Sequence, residues 1–521
     1  RTMITGRTGN IGKAPSSPKI PAISAIPDLT VIPTIPAISA LPASQSSQQS
    51  QPSQSSQTSQ LSPPPNKKKT MTTEEFITQN IDADIRDLAL RHAGRTDIDL
   101  PYALDQIAGR RTARKKLPQW AATDGIIYPP HISMEQCSSE QTATYKAEVA
   151  KRLVATLAPK SPSDGNQETT PPDGAGHSSP RGGWEGAAPT LLIDLTGGFG
   201  VDFSYMARAF GRAVYIERQS HLCAVSRHNM ALLGLTQAEV VCGDCTQIIE
   251  EMDDVTMFYA DPARRDARGG RTFAISDCTP DITAMRDTLL GKACFTMVKL
   301  SPMLDWRKAV ADMGGCVGEV HIVSVANECK ELLLVMSRKY ASLERICCVN
   351  DGQTFSFTPE EAANATLSHN PITQDPHNPT TVKPHNPITP KPHNPITEKY
   401  LYEPNASLMK AGCFALIAQR YGCRQVGADS HLFVSRQEIP HFPGRGFAIR
   451  AVATMNKREL RAALAGTDRA NVSVRNFPLT ADALRKRLKL KDGGDTYIFG
   501  TTAEDGRHVL VVGKKVGIFR S

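Results

Sequence analysis

The sequence predicts an α/β fold with a Rossmann-like, mostly parallel sheet, and three observations support this prediction. Seven short apolar segments follow one another, with helical segments between the first six, at 191–195, 213–217, 238–244, 255–261, 294–301, 319–325 and 331–336. The last two are joined only by the turn ANECK, which is too short for a parallel crossover and predicts an antiparallel hairpin. The first segment runs into the turn TGGFG, which is typical of a strand end that lies close to a ligand.

The regions around this sheet differ in composition, which divides the chain into six parts. Ser, Gln and Pro are abundant before residue 70, and such a segment has too little apolar surface to offset its ordering entropy. A later segment contains four HNPI or HNPT units of period eight, whose prolines oppose both helix and strand. We predict a disordered tail at 1–70, a helical region at 71–158, a linker or insertion at 159–189, the α/β domain at 190–345, a linker with HNPI repeats at 346–399 and a basic α+β region at 400–521.

The two flanking regions have predicted elements of their own. Short helices are expected within 76–122 and at 138–157, and the segment IIYPP at 126–130 is predicted to be a short strand. A helical segment follows Pro404. From residue 447 onward the pattern is strand, helix, strand, helix, strand, strand, which predicts a small α+β module.

Positive charge is concentrated near the C-terminal end. The whole chain has 60 Lys and Arg against 52 Asp and Glu, a net charge of +8. Residues 439–521 alone hold 16 Lys and Arg against 7 Asp and Glu, so the rest of the chain is close to neutral. A basic terminal module predicts a polyanion as partner, most simply RNA or DNA, and the alternative is a solvated basic surface.

Composition also excludes several classes of protein. No apolar run approaches the roughly 20 residues that cross a bilayer, and no charged segment with a following apolar core marks a secretory signal. The twelve cysteines show no disulfide spacing, and the C-x-x-C of Cys242 and Cys245 lacks a second pair at zinc spacing. We therefore expect a cytoplasmic protein with reduced thiols, no membrane partner and no metal.

Acids and glycines stand at the ends of the first three predicted strands. The carboxyl ends of neighbouring parallel strands meet at one edge of a sheet, where ligands bind. Carboxylates there can accept hydrogen bonds from an amine, from both hydroxyls of a ribose and from an adenine amino group, which together fit S-adenosylmethionine (SAM). We predict a cofactor site formed by Asp194, Thr196, Gly197, Gly198, Gly200, Glu217 and Asp244.

A dinucleotide cofactor is the alternative for this glycine-rich turn. Its fingerprint G-x-G-x-x-G, counted from Gly198, requires a third glycine where this chain has Phe203. The departure favours SAM over a nicotinamide or flavin cofactor.

The fourth predicted strand ends in the motif DPARR, which we predict to be catalytic. Methyl transfer from a sulfonium is an in-line displacement, so positioning of the acceptor contributes much of the rate. The carboxylate of Asp261 and a carbonyl held by Pro262 can accept both N–H bonds of a planar amine, and Asp261 can also accept a proton. The alternative is a simple Asp-Pro turn with two solvated arginines. Substrate contacts are predicted for Arg264, Arg265, Lys299, Asn327 and Glu328.

Several long motifs carry a family resemblance. They are EQCSSEQTATYKA (135–147), DLTGGFGVDFSYMAR (194–208), DPARRDARGGRTFAISDCTPDI (261–282), VKLSPMLD (298–305), HIVSVANECKELLLV (321–335) and YLYEPNASLMKAG (400–412). With them the chain resembles bacterial class I SAM-dependent methyltransferases that carry a C-terminal THUMP-like domain. The resemblance implies a class I methyltransferase sheet, preceded by a helical region and followed by a small ferredoxin-like or THUMP-like α+β domain. It also implies RNA as partner, especially tRNA or rRNA.

The catalytic part is also similar to the trimethylguanosine synthase branch, which methylates guanine N2 in RNA caps. That resemblance implies that Ser138-Ser139-Glu140 corresponds to its T-P-E motif, and Asp261-Pro262-Ala263-Arg264 to its D-P-P-aromatic motif. Ala263 and Arg264 replace the second proline and the stacking aromatic, so the resemblance does not extend to the base-stacking contact.

The leading hypothesis is a SAM-dependent methyltransferase that modifies a base nitrogen in RNA. The first alternative is a methyltransferase for a protein or a small molecule, in which the arginine-rich loop holds a carboxylate. The second alternative is a non-catalytic RNA-binding protein with a vestigial SAM fold. The presence of Asp194, Glu217 and Asp261 favours an enzyme over this last alternative.

Overall fold

The computed structural model of the chain describes residues 71–157, 190–264, 275–366 and 396–517. The predicted tail, the predicted linker at 159–189 and nearly all of the HNPI repeats lie outside these described residues. Among the described helices, none is long and apolar enough to cross a membrane.

Six helices form the N-terminal helical region, and side-chain caps set where several of them begin. Thr72 and Glu75 form a capping box at the first helix, and Ser139 caps the last by accepting a hydrogen bond from the Thr142 N–H group. The helices are α1 (Thr73–Gln79), α2 (Ile85–Arg91), α3 (Leu100–Lys116), α4 (Pro118–Ala122), α5 (His131–Gln136) and α6 (Glu140–Ala155).

The predicted short strand at 126–130 is wrong, because this segment is irregular in the structure. Side-chain amides take the place of a neighbouring strand. Asn229 exchanges two hydrogen bonds of 2.9 Å with the backbone of Ile127, and Gln106 exchanges two of 2.8 Å with the backbone of Tyr128. The backbone polar groups of these two residues are thus satisfied without a sheet.

Within the described residues, the central sheet has nine strands in the order β11-β10-β8-β9-β7-β4-β1-β2-β3. Strands β1 to β4 and β7 pair in parallel, whereas β9 lies antiparallel between β7 and β8. The sheet strands are β1 (Leu191–Asp194), β2 (Arg212–Glu217), β3 (Ala238–Cys242), β4 (Val255–Ala260), β7 (Ala293–Leu300), β8 (Val317–Val325), β9 (Glu328–Met336), β10 (Arg345–Asn350) and β11 (Gln353–Phe357). The predicted mostly parallel sheet with an antiparallel hairpin is therefore confirmed.

Helices cover both faces of this sheet, and a small two-stranded sheet stands beside it. The two short strands are β5 (Ala263–Arg264) and β6 (Cys278–Thr279). The helices are α7 (Val201–Met206), α8 (Ser220–Leu232), α9 (Cys245–Ile248), α10 (Ile282–Lys292), α11 (Trp306–Asp312) and α12 (Pro359–Asn364), with 3₁₀ turns at Ala207–Ala209, Ile249–Glu251 and Ile275–Asp277.

The predicted linker from residue 346 begins too early. Strand β10 pairs in parallel with β8, and β11 returns antiparallel to β10, so both extend the central sheet. Four of the six β10 side chains, from Ile346 to Val349, are buried and apolar. The Asp351-Gly352 turn between the two strands is a short-range hairpin signal, which the sequence contains.

The C-terminal region has its own seven-stranded sheet, in the order β13-β14-β12-β15-β18-β17-β16. Its strands are β12 (Tyr400–Pro404), β13 (Arg424–Gln425), β14 (Phe433–Ser435), β15 (Gly444–Thr454), β16 (Asn471–Arg475), β17 (Thr496–Thr502) and β18 (His508–Lys515). Its helices are α13 (Ala406–Ala411), α14 (Phe414–Tyr421), α15 (Lys457–Ala463) and α16 (Ala481–Leu488). From β15 onward the elements follow the predicted alternation.

The core of the central sheet continues into the C-terminal region. On one face, residues of α13 and α14, including Leu408 and Leu416, belong to the same buried cluster as Val298 and Leu334. On the other face, α6 contributes Val149 and Leu153 to a second buried cluster. Both flanking regions are thereby fixed to the sheet that carries the candidate site.

Candidate active site

A cavity of about 1040 Å³ lies at the carboxyl ends of β1, β2, β4 and β7. This is the edge at which open parallel sheets bind ligands. The cavity brings together all the predicted cofactor residues, both predicted catalytic residues and one predicted substrate residue. They are Asp194, Thr196, Gly197, Gly198, Gly200, Glu217, Asp244, Asp261, Pro262 and Lys299.

The glycine-rich turn after β1 is held by its own strand end. Asp194 is buried, and its Oδ1 accepts hydrogen bonds from the Thr196 N–H at 2.9 Å and the Thr196 hydroxyl at 3.2 Å. Gly198 has a φ of 64°, and a Cβ atom there would meet nothing closer than the Thr196 carbonyl oxygen at 3.7 Å. Burial raises the pKa of the Asp194 carboxyl to about 7, although the hydrogen bonds from Thr196 oppose this shift. The group can therefore exchange a proton near neutral pH.

The acid at the end of β2 is oriented by two backbone groups. Glu217 is buried, and its two carboxylate oxygens accept hydrogen bonds from the N–H groups of Gly198 at 2.9 Å and Gln219 at 2.8 Å. A carboxylate offers about four acceptor positions, so Glu217 retains acceptor capacity toward the cavity. The glycine turn and the β2 acid are thus one connected unit.

The acid after β3 caps a short helix. Asp244 Oδ1 accepts hydrogen bonds from the N–H and hydroxyl of Thr246, at 2.9 and 2.7 Å. These bonds hold the pKa of Asp244 below its ordinary value. Asp244 is therefore ionised throughout the neutral range.

The predicted catalytic acid is tied to both the cofactor turn and the predicted substrate lysine. The Asp261 N–H donates to Thr196 Oγ1 at 2.7 Å, and its Oδ2 accepts from Lys299 Nζ at 2.6 Å. The Asp261 side chain is 45% exposed, whereas that of Lys299 is only 13% exposed. Burial opposes the charge on Lys299, but the carboxylates of Asp261, Asp202 and Glu331 outweigh it and raise the lysine pKa well above its ordinary value.

Behind Lys299 lies a buried charged cluster that the sequence analysis missed. Lys146 from α6 is fully buried and lies 3.1 Å from Asp202 Oδ1 and 2.5 Å from Glu331 Oε1. Burial acts to raise the pKa of Asp202, but Lys146 and Lys299 outweigh it and hold that pKa below its ordinary value. The sequence signal for Lys146 is its helical spacing with apolar positions of α6, three residues after Ala143 and three before Val149.

Two predicted substrate residues do not line the cavity. The Asn327 Oδ1 accepts a hydrogen bond from the Ala406 N–H at 2.8 Å, which joins the β8–β9 turn to the start of α13. Glu328 lies 2.7 Å from Lys330, and Lys330 is the one of this pair that lines the cavity. Asn327 contacts the C-terminal region instead of the cavity, and the predicted substrate role of both residues stays a prediction.

Most of the arginine-rich loop lies outside the described residues. Arg264 is the last residue of β5, and its side chain lies outside the described residues, as does the whole of Arg265. Within the described ranges, no group of three or more His, Cys, Asp or Glu side chains could hold a metal ion.

The C-terminal region presents exposed basic side chains on and around its two last helices. Leu460 of α15 and Leu484 of α16 pack into one apolar cluster beside the sheet, so the charged positions of both helices point outward. The exposed basic residues are Lys457, Arg458, Arg461, Arg469, Lys486, Arg487, Lys489 and Lys491. We call this set the basic surface.

Comparison with known proteins shows that the C-terminal region is similar to two domain families. Residues 400–443 match a ferredoxin-like domain family, and residues 444–515 match a family described as THUMP domain-like. A search of curated protein sequences found no significant match.

Solved structures add a match over most of the chain. A candidate methyltransferase from Porphyromonas gingivalis W83 is 28% identical, covers 85% of this chain and 98% of its own length, and superposes with a TM-score of 0.66. Two further structures match smaller parts with TM-scores below 0.5. A candidate RNA methyltransferase from Pyrococcus horikoshii covers 45% of this chain and 96% of its own length at 11% identity, with a TM-score of 0.27. M. capricolum TrmK, determined with S-adenosylhomocysteine, covers 29% of this chain and 64% of its own at 9% identity, with a TM-score of 0.24.

The family resemblance drawn from the sequence motifs is confirmed. The chain combines a class I methyltransferase fold with ferredoxin-like and THUMP-like C-terminal domains.

Proposed function

We propose that this protein is a SAM-dependent methyltransferase that modifies a base nitrogen in RNA, in particular tRNA or rRNA. One observation carries the proposal. A single cavity brings two buried carboxylates, Asp194 and Glu217, together with the accessible carboxylate of Asp261 across one glycine-rich turn. This arrangement suits a cationic cofactor on one side and a hydrogen-bonding acceptor on the other.

The donor set of the cavity fits SAM. Its volume of about 1040 Å³ is ample for a ligand of this size. Asp194 would pair with the cationic methionyl group, Glu217 would accept the two ribose hydroxyls, and Asp244 would accept the adenine amino group. Gly198 leaves open space where a side chain would otherwise stand, so the backbone can approach the ligand. When bound, SAM supplies a methyl group activated by its sulfonium.

Asp261 and Pro262 would position the acceptor. The Asp261 carboxylate and the Pro262 carbonyl accept the two N–H bonds of a planar amine, which directs the nitrogen toward the methyl group. Because the Asp261 backbone is bonded to Thr196 of the cofactor turn, the distance between the two ligands is set within one short stretch of structure. The Asp261 carboxylate oxygen then accepts the proton that the nitrogen loses.

The basic surface supports RNA as the acceptor. It lies within the segment that matches THUMP-like domains, and residues 439–521 hold 16 Lys and Arg against 7 Asp and Glu. Such a surface binds phosphates without reading sequence, which suits a module that delivers RNA to a separate active site. Arg264 stands where the trimethylguanosine synthase branch has its stacking aromatic, so another group supplies any base stacking.

The first experiment compares RNA nucleosides from cells with and without the gene by mass spectrometry. We expect one methylated nucleoside to disappear on deletion, to return with the wild-type gene and not with Asp261→Asn. Asp312→Asn is the matched control, because this acid lies on α11 and pairs with Lys308 four residues away. An unchanged nucleoside profile would refute RNA as the acceptor.

The second experiment tests the cofactor separately. Calorimetric titration of the purified full chain with SAM should give saturable binding that Glu217→Gln weakens about tenfold or more, because a neutral amide is a poorer acceptor for the ribose diol. Absence of SAM binding by the wild-type protein would refute the enzyme itself.

A further inference from the structure

The buried cluster behind the catalytic acid has one open end. Exposure falls step by step along it, from 45% at Asp261 to 13% at Lys299, 7% at Ser138 and zero at Lys146. The Nζ atom of Lys299 lies 2.6 Å from Asp261 Oδ2 and 3.2 Å from Ser138 Oγ, and Lys146 Nζ lies 3.3 Å from the same hydroxyl. The accessible end of the cluster is therefore the carboxylate that faces the acceptor.

Each inner member of the cluster is fixed by several partners. The hydroxyls of Ser138 and Tyr259 donate to Asp202 Oδ2 at 2.8 and 2.6 Å, while Lys146 lies 3.1 Å from Oδ1 of the same carboxylate. Lys299 is held by Asp261 and Ser138 and lies 3.8 Å from Asp202. The lysine ammonium therefore occupies a defined position rather than a range of rotamers.

Stability alone is a poor reason for such a cluster. A buried ion pair is often no more stabilising than well-packed apolar side chains of the same volume, because removing charges from water is costly. Positioning is a better reason, since a displacement of about 1 Å at a reacting group can reduce a rate by about 100-fold. Lys299 is also too buried, and too close to Asp261, to serve mainly as a substrate contact.

We propose that Lys299, held by Ser138 and Asp202, is a positioning residue that fixes the Asp261 carboxylate for methyl transfer. Ser138 immediately precedes Ser139, the cap of α6, and Lys146 lies within α6. The N-terminal helical region therefore completes the active site of the central sheet. This inference rests on the proposed methyltransferase function, and it assigns to Lys299 an indirect role instead of the predicted substrate contact.

Three variants of the full chain test the inference. Lys299→Met keeps the aliphatic stem but removes the ammonium group, and Lys299→Arg keeps the charge. Ser138→Ala removes one acceptor of Lys299 with little change in volume. Lys308→Met is the matched control, since this lysine is exposed on α11 and pairs with Asp312 one turn away on the same helix.

The assay measures methyl transfer from SAM to total RNA of a strain that lacks the gene, together with SAM affinity and melting temperature. We expect Lys299→Met to lower kcat about 100-fold and Ser138→Ala about tenfold, with SAM affinity within about threefold of wild type. Lys299→Arg should have a kcat at least about tenfold higher than that of Lys299→Met. Wild-type kcat in Lys299→Met, or a parallel loss of SAM affinity, would overturn the positioning role. If Lys299→Met does not fold, unchanged kcat in Ser138→Ala overturns it instead.

Crystal structures of the wild type and Lys299→Met distinguish this inference from the proposed function. A shift of the Asp261 carboxylate by about 1 Å or more supports positioning even if RNA proves to be the wrong acceptor. An unmoved carboxylate overturns the inference whatever the acceptor is. Wild-type protein that binds SAM but methylates no RNA overturns the proposed acceptor alone.

Discussion

We predict that SAM affinity depends on pH through Asp194, the acid proposed to pair with the cationic group of SAM. Burial raises the pKa of this carboxyl from 3.8 to about 7, so the free protein holds a proton there below neutral pH. A cationic ligand prefers the ionised carboxylate, and binding must then displace the proton. Apparent affinity is therefore proportional to the fraction of protein in which Asp194 is ionised. For a pKa of about 7, the affinity at pH 5.5 is about 30-fold weaker than on the high-pH plateau, where the group is fully ionised.

Calorimetric titration with SAM between pH 5.5 and 7.5 measures this dependence. Asp194→Asn should bind weakly at every pH, with no slope. Asp244→Asn is the matched control, because hydrogen bonds from Thr246 hold the pKa of Asp244 below its ordinary value, outside the titrated range, and this variant should keep the wild-type slope. A wild-type affinity that does not change over this range would refute the reasoning.

The same group has an opposite effect on stability. An acid whose pKa is higher in the folded than in the unfolded state destabilises the fold as pH rises between the two values, here from 3.8 to about 7. The shift of about 3 units corresponds to on the order of 4 kcal/mol for a carboxyl that is almost fully buried. Urea unfolding of the free protein at pH 8 should therefore show Asp194→Asn to be at least as stable as wild type.

Three further predictions concern the turn, the buried cluster and the basic surface. Gly197→Ala should lower the free energy of unfolding by about 3 kcal/mol or more in urea, because its Cβ would lie 2.6 Å from Tyr215 Cζ, whereas Gly198→Ala should cost only about 1–2 kcal/mol. Equal losses would contradict this contrast. Lys146→Met should cost about 3–5 kcal/mol because it removes the buried ammonium group that pairs with both Asp202 and Glu331, while Lys308→Met should change stability by less than about 0.5 kcal/mol. The basic surface is tested by changing four of its residues to alanine together: Lys486, Arg487, Lys489 and Lys491. Binding of single-stranded RNA is measured by fluorescence anisotropy at several salt concentrations, and the slope of log affinity against log salt should become shallower by about 3 in this variant. An unchanged slope would exclude these residues as phosphate contacts.

The part of the fold that sequence predicts well is the part with local signals. Strand ends at Asp194 and Glu217 are marked by apolar runs that stop at an acid, and the turn ANECK determines the sense of the hairpin by its length alone. The strands β10 and β11 also carry a local signal in Asp351-Gly352, but the prediction placed the domain boundary before them. The error came from treating the expected hairpin as the last element of the sheet, although β8 has a second edge to pair.

In the candidate site, too, the residues with local sequence signals are the ones that could be predicted. Residues that follow a strand end, such as Asp244 and Asp261, are located by the rule that ligands bind at the carboxyl edge of the sheet. Ser138 lies 161 positions in sequence from its partner Lys299, and Lys146 lies 185 positions from its partner Glu331. No periodicity in the sequence encodes such distant contacts. The contact of Asn327 is of the same kind, because its partner Ala406 lies on a helix of another region.

The contacts of the C-terminal region also restrict how RNA can reach the site. The ferredoxin-like segment packs into the core of the central sheet through Leu408 and Leu416, and its strand β12 pairs with β15 of the THUMP-like segment. A buried cluster that includes Leu401 and Phe447 joins the two segments further. Among the described residues, packed contacts therefore connect the segment that carries the basic surface to the central sheet. If RNA is the acceptor, as proposed, an RNA that binds both places must bridge the distance between them, and we then expect RNA shape to contribute to substrate selection together with the chemistry of the acceptor base.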